Sequence, residues 1–558
     1  MQRFLLAKRA WVVLFAVVCA LYFYGLGGVP LVGPDEPRYA EVAREMFTRG
    51  DLVTPTLGGH IWFEKPALVY WLMMAAYRVF GVTEFAARAG SALAGVVTVL
   101  LVAWAARRAE FEAGERLRGF GIACAAVSAS SAGLLAFARA ASFDVVLTAT
   151  VTAALACFYV SEVERGAASR RRLLAGFYAC TGLSLLAKGL VGVVIPAGVV
   201  AVYFIARRRW PARLGVWWGA PLALAVAATW YAPVWLRHGR VFFEEFIVQQ
   251  HFARYVSDKY HHAQPFYFFL PVVLMLALPW TLFLFNRLAA SGETNARADD
   301  AGTKLRVLAL VWLFVPVLFF SASGSKLPGY VLPALPGAAL LAGAGVHRYL
   351  RGTGGVLTMR LTGALALLLS AAAWVYFYAT VNQGAGEWPS GKLPLGCLLA
   401  VTLPAGACGL LALVAARRRA LCFACVAGTT LLTVALIVGC ALGAFAERET
   451  VGRLLLKASG EGYGSLPVVG LHTVERTAEF YAAGRLAYDG RGEPLKLEGA
   501  AEVAEFARQN GGRALVLVPV KNSAQLGAEQ GMESSYIGDN GSVALFLVRV
   551  GGSAEARP

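Results

Sequence analysis

Charge is scarce in this chain. Only 15% of its 558 residues are Asp, Glu, Lys or Arg, and 58% are hydrophobic. An ordinary soluble domain runs at about 25% charged and about 45–50% apolar, so this is the composition of an integral membrane protein. Nucleotide-binding signatures are missing too. There is no Walker loop, and no Gly-x-Gly-x-x-Gly opens a helix. Cysteine is absent from every hydrophilic segment: all nine, Cys19, Cys124, Cys157, Cys180, Cys397, Cys408, Cys422, Cys425 and Cys440, fall in or beside apolar runs. Cys422 and Cys425 form a C-x-x-C inside one such run with no second pair, so the cysteines are expected to be free packing residues with no disulfide. The net charge of +17 reads as orientation-setting loop lysines and arginines rather than a nucleic-acid surface.

What is present is a series of apolar stretches long enough to cross a bilayer, which takes about 20 residues. They cover 10–28, 85–106, 119–137, 144–160, 173–187, 190–206, 214–236, 266–285, 307–320, 330–346, 361–380, 395–416 and 420–445, about thirteen spans. The first follows Arg3, Lys8 and Arg9 and lacks a small-x-small cleavage site, so it reads as an uncleaved span. A further apolar stretch, 66–80, is short. Excluding it places 25 lysines and arginines in the N-terminus and the loops of one side, against four in the short loops of the other. Basic residues mark the cytoplasmic side. The N-terminus is therefore expected in the cytoplasm, and 66–80 as an interfacial helix on the outer surface.

This divides the chain into a membrane domain, 1–445, with long outer loops at 29–84 and 237–265, and an outer domain, 446–558. In that tail 466–474, 514–520 and 542–550 read as strands, the last after the turn Asp539-Asn540-Gly541, and 475–483 and 500–509 as helices. A small periplasmic α/β domain fits. In the first loop Pro37 suits a helix start, Tyr39, Val42, Ala43 and Met46 recur on one helical face, and Gly50 suits the stop. Pro66 suits a second start, which leaves Asp35 and the Glu64-Lys65 pair just ahead of two helices.

The densest run of charge is this first loop: Asp35-Glu36-Pro37-Arg38-Tyr39-Ala40-Glu41, Arg44-Glu45-Met46, Gly50-Asp51, Phe63-Glu64-Lys65-Pro66 and Tyr70-Trp71. At these spacings it resembles the first external loop of polyprenyl-phosphate-dependent glycosyltransferases of the C-type fold, and most closely the 4-amino-4-deoxy-L-arabinose lipid A transferase family. The resemblance is specific over about the first seventy residues. It implies a polytopic α-helical glycosyltransferase acting by inverting single displacement. It also implies an undecaprenyl phosphate-linked aminosugar as donor, lipid A as acceptor, and an inner-membrane location with the site facing the periplasm. Asp35 matches the family's first acidic position. Arg139 and Asp144 resemble its second, and Lys326 and Tyr330, in Ser325-Lys326-Leu327-Pro328-Gly329-Tyr330, resemble another family motif.

The chemistry can also be argued from the residues. The periplasm holds no nucleotide sugars, so a transferase there needs a donor carried on lipid, and a polyprenyl phosphate leaves as a phosphate anion. Phosphate calls for cations and directed donors: Lys65, Arg38 and Arg254, with Lys326 and Tyr330 at the mouth between two spans. Asp35 is placed to assist the acceptor, with Glu36, Tyr39, Glu64, Arg139 and Asp144 in support. The competing readings are that Asp35 caps a helix, that Arg38 and Arg44 pair along the helix, and that Arg139–Asp144 is an orienting ion pair. The first loop has no Asp-x-Asp, so no metal is required; Glu64 with a histidine from 251–262 is a candidate for adventitious zinc. No cofactor and no nucleic-acid partner are expected, only membrane lipids and the two lipid substrates, with the protein a monomer. Two other functions compete: a polyprenyl-phosphate-sugar protein glycosyltransferase, and a lipid or solute transporter. Transporters carry charge within spans near the midplane, whereas here it gathers at one face.

Overall fold

The computed structural model describes residues 2–211, 214–253, 264–288, 300–382, 395–527 and 529–550. Among them, eight helices are long and apolar enough to cross a membrane. The number becomes nine if Phe120–Ala129 and Ala132–Ala138, bent by 56°, form one span. The four remaining expected stretches are helical as well: Gln2–Phe23, Ala167–Lys188, Val191–Ala206, and a broken pair, Phe269–Leu276 and Thr281–Leu288. The break falls at Pro279, which cannot donate to a helix. Small residues let the helices close: a Cβ on Gly363 would stand 2.5 Å from the Gly409 carbonyl oxygen, and one on Gly409 would stand 2.8 Å from that of Gly363.

The first loop folds as a helix, a hairpin and a second helix. The first helix is Asp35–Arg49, so it starts two residues before the expected Pro37. Its expected face, Tyr39, Val42, Ala43 and Met46, is buried, and Gly50 ends it at φ 65°. Thr56–Leu57 pairs with His60–Ile61 around Gly58 and Gly59, whose amides donate to Glu45 of the first helix. The second helix, Leu68–Phe80, starts two residues after Pro66. Its 13 residues span about 20 Å, short of a bilayer core. It buries Val69, Tyr70, Met73 and Tyr77 and donates from the Tyr77 hydroxyl to the Ala40 carbonyl at 3.1 Å.

The second long loop begins with more helix than the sequence suggests. Val216–Phe242 continues past residue 236 through a break at Gly239 (φ 49°) into wider turns over Phe243–Ala253. Phe242 and Phe246 close on Phe63 and Trp230, so this loop packs on the first one.

The chain ends in a five-stranded sheet. Arg513–Pro519 lies at its centre, parallel to Val468–Leu471 and antiparallel to Val543–Val550; Lys496–Leu497 and Met532–Asp539 form the edges. Alternation puts Leu515 and Leu517 on one face, with Leu454 and Leu455, and Val516 and Val518 on the other, with Val503 and Ala507. One short helix, Arg476–Tyr481, packs against Asp35–Arg49 of the first loop. Arg44 donates to the Phe480 carbonyl at 3.0 Å. The Tyr481 hydroxyl accepts from the Leu31 amide at 2.8 Å and donates to Glu84 at 3.0 Å.

The expectation of free cysteines needs one correction. Cys397 and Cys440 form a disulfide, with Cα atoms 5.9 Å apart; the other seven are free. The partners lie 43 residues apart in different helices, where sequence spacing gives no sign of their proximity.

Candidate active site

Asp35 and Glu36 separate at once. Glu36 is buried and meets Arg88 through both oxygens, at 3.0 and 2.8 Å. It also accepts from the amides of Val32 and Ala141. Arg88 in turn donates to the carbonyls of Leu26, Val29 and Pro30. This pair ties the end of the first span, the first loop and the 139–142 turn together. Asp35 is exposed and carries no hydrogen bond or ion pair among the described residues. It is not a cap: the cap position is Pro34, and no side chain caps the helix. Tyr39 and Tyr70 stand behind it, both against Phe143, with ring centroids at 4.7 and 5.3 Å. Burial first, then the carboxylates of Glu64 and Asp35, hold both phenols well above their ordinary pKa, so they stay neutral.

A cleft of about 650 Å³, counted to its open mouth, lies at Glu64, whose carboxylate acts on both phenols. Its lining includes Glu64, Lys65, Lys188, Ser323, Ser325 and Tyr330. Lys65 pairs with Glu64 at 2.7 Å. Arg38 reaches Glu64 at 3.7 Å and lies over the Trp62 ring at 5.3 Å. On the far wall Lys188 pairs with Asp144 and sits 4.3 Å from the Tyr330 ring centroid. Gly329 makes that wall possible, because a Cβ there would stand 2.5 Å from Asp144 Oδ2. Ser325 is buried in the lining, and its hydroxyl has no partner among the described residues. Two ammonium groups, a phenol and a hydroxyl therefore converge on a space lined mainly by apolar groups, which is the donor set an anionic headgroup with a lipid tail requires.

Not every expected residue joins them. Arg139 does not pair with Asp144. It donates to the carbonyls of Leu21 and Tyr24 at the end of the first span, a favourable place for a cation, and Lys188 takes Asp144 instead. Arg44 does pair along its helix, with Glu41. Lys326 is buried and turned to the Ser323 carbonyl at 2.6 Å, outside the cleft lining. Arg254 lies outside the described residues, as do His261 and His262 of the zinc expectation at Glu64. Among the described residues no cluster of three His, Cys, Asp or Glu could hold a metal.

Residues 8–293 match the family model described as dolichyl-phosphate-mannose-protein mannosyltransferase. A relative from Edwardsiella ictaluri (strain 93-146) is named undecaprenyl phosphate-alpha-4-amino-4-deoxy-L-arabinose arabinosyl transferase. It is 32% identical over 406 residues, which cover 70% of this chain and 69% of the relative. The chain belongs to this arabinosyl transferase family. A relative of the same name from Pseudomonas aeruginosa (strain UCBPP-PA14) is 32% identical over 66% of each chain. The aligned stretch thus spans about two thirds of the arabinosyl transferases it matches. The crystal structure of ArnT from Cupriavidus metallidurans bound to undecaprenyl phosphate superimposes with a TM-score of 0.76 at 24% identity, covering 98% of this chain and 99% of the other. The glycosyltransferase C-type fold expected from the sequence is therefore the fold observed, in a multi-pass inner-membrane protein.

Within this arabinosyl transferase fold, Arg88, Lys188 and Ser325 carry more of the site than the sequence suggests. Arg88 gives a signal, a charge inside an expected span, which calls for a partner. Lys188 is visible only as one cation at the outer end of a span. Ser325 gives none.

Proposed function

We propose that this chain transfers 4-amino-4-deoxy-L-arabinose from undecaprenyl phosphate to a phosphate of lipid A, at the periplasmic face of the inner membrane. The observation that carries this reading is the cleft in which Lys65 and Lys188 face one space, in a fold whose first loop also presents an exposed Asp35 without a partner among the described residues. Thirteen crossings, a cytoplasmic N-terminus and an outer C-terminal domain complete the topology.

In this reading Lys65, Lys188 and Tyr330 hold the donor phosphate, with Arg38 and Arg254 contributing from the two outer loops. Negative charge grows on that phosphate as the glycosidic bond breaks, and preorganised cations stabilise it most at that point. The acceptor phosphate attacks the anomeric carbon from the opposite side, and the carbon inverts. A phosphate monoester has a second pKa of about 6 and is already an anion at neutral pH, so it needs little help losing a proton. The free carboxylate of Asp35 then orients the acceptor or holds the sugar's amino group. Transfer proceeds without a metal. Capping a lipid A phosphate with an aminosugar lowers the negative charge of the surface and with it the attraction of cationic peptides such as polymyxin.

The deciding experiment gives the purified full chain the lipid-linked sugar and lipid A, with EDTA present, and measures undecaprenyl phosphate release with the mass of lipid A. Release that depends on lipid A, with the mass of one aminoarabinose gained, supports the proposal. Sugar passed to a polypeptide, or no release, overturns it.

A further inference from the structure

Glu479 belongs to the C-terminal domain, yet it lies against the charges of the first loop. Its side chain is fully buried. One oxygen accepts from Arg476 at 2.8 Å. The other, Oε2, has no hydrogen-bond partner and stands 3.7 Å from Arg38 Nε, itself buried without a partner. A guanidinium has five donors in a fixed plane. Arg38 makes no hydrogen bond among the described residues. It is stacked on Trp62 and set between two carboxylates, Glu64 and Glu479, each 3.7 Å away. Its direction is fixed while its donors remain unspent.

We infer that Glu479 is a positioning residue for the transfer, holding the Arg38 guanidinium from the C-terminal side beside Glu64, which lines the cleft. This rests on the transferase reading above. Without Glu479, the carboxylate left within 4 Å of Arg38 among the described residues is Glu64, which Lys65 already holds at 2.7 Å. Arg38 would then turn toward Glu64 and compete with Lys65, displacing two cations at once. Burial raises the pKa of Glu479 above its ordinary value, against the pull of Arg38 first and Arg476 after it.

The test is a double-mutant cycle in the full-length protein, using lipid-linked aminoarabinose and lipid A, with wild-type turnover established first. Glu479→Gln keeps the shape and removes the charge. It is expected to lower kcat on the order of tenfold, with the donor KM within about twofold, since a small misplacement of a positioned group costs that much or more. In an Arg38→Lys background the same change should cost less than about twofold, because the partner it acts through is gone. The inference fails if Glu479→Gln keeps its kcat, or if its full loss recurs in the Arg38→Lys background. Should Glu479→Gln not fold, Glu479→Asp keeps the charge but draws it away from Arg38, and the same coupled loss is expected. If neither folds, Glu479 is structural and the inference fails. Absent turnover in the wild type would instead overturn the function itself.

Discussion

Asp35 and Glu36 sit side by side in the sequence with the same charge, and the fold uses them in opposite ways. Asp35 caps no helix and pairs with nothing among the described residues, so Asp35→Asn removes charge without disturbing those contacts. It is expected to yield a folded, monodisperse protein that binds undecaprenyl phosphate and transfers no sugar; retention of most of the transfer rate would remove Asp35 from the chemistry. Glu36→Gln breaks a buried pair with Arg88, a loss of about 3–5 kcal/mol, and is expected to fail in thermal melting or membrane accumulation before activity can be assayed. Lys65→Ala leaves a folded protein, since its partner Glu64 still has Arg38 nearby. Turnover should fall on the order of 10²–10³, the usual cost of one preorganised charge-stabilising donor, and a near-normal rate would take Lys65 off the donor phosphate. The sequence shows that an acidic pair stands at the first loop but not which member is free, because Arg88 arrives from 52 residues away.

At the scale of elements, most of the helices were legible, because apolar length and turn residues are local properties. The first-loop face of Tyr39, Val42, Ala43 and Met46, the stop at Gly50 and the short second helix follow from spacing alone. The strand that follows Asp539-Asn540-Gly541 does too. Pairings between elements were not legible. Arg139 and Asp144 look like partners at five residues' distance, but they face different helices, and Asp144 meets a lysine 44 residues on. Gly329 marks one such meeting: its turn presses so close to Asp144 that a methyl group must push something aside. Gly329→Ala is expected to destabilise the protein by about 1–3 kcal/mol and to slow transfer on the order of tenfold by moving the Asp144–Lys188 pair. An unchanged rate would mean that the far wall does not need that geometry.

Over the whole molecule, the orientation proposed from the basic-loop asymmetry can be checked outside the site. Ser465 is exposed on the C-terminal domain. A cysteine placed there is expected to react with a membrane-impermeant thiol reagent in intact spheroplasts, and labelling only after permeabilisation would invert the topology. The Cys397–Cys440 disulfide belongs with the same orientation, since such bonds persist in the periplasm and are rare in the cytosol. What the sequence could not reveal at this scale is that its two ends meet. Nothing in residues 476–481 resembles a partner for residues 31–44, because the contact is made of one tyrosine hydroxyl, one backbone carbonyl, one phenylalanine ring under Arg44 and one buried glutamate.

That meeting has a consequence in time. Leu31 leaves the ribosome 450 residues before Tyr481, whose hydroxyl ties it to Glu84. A nascent chain can insert nearly all of its helices and still lack the contacts that brace its own opening loop. A chain broken off before residue 476 keeps its membrane helices and lacks the Phe480 and Tyr481 contacts that hold the first loop.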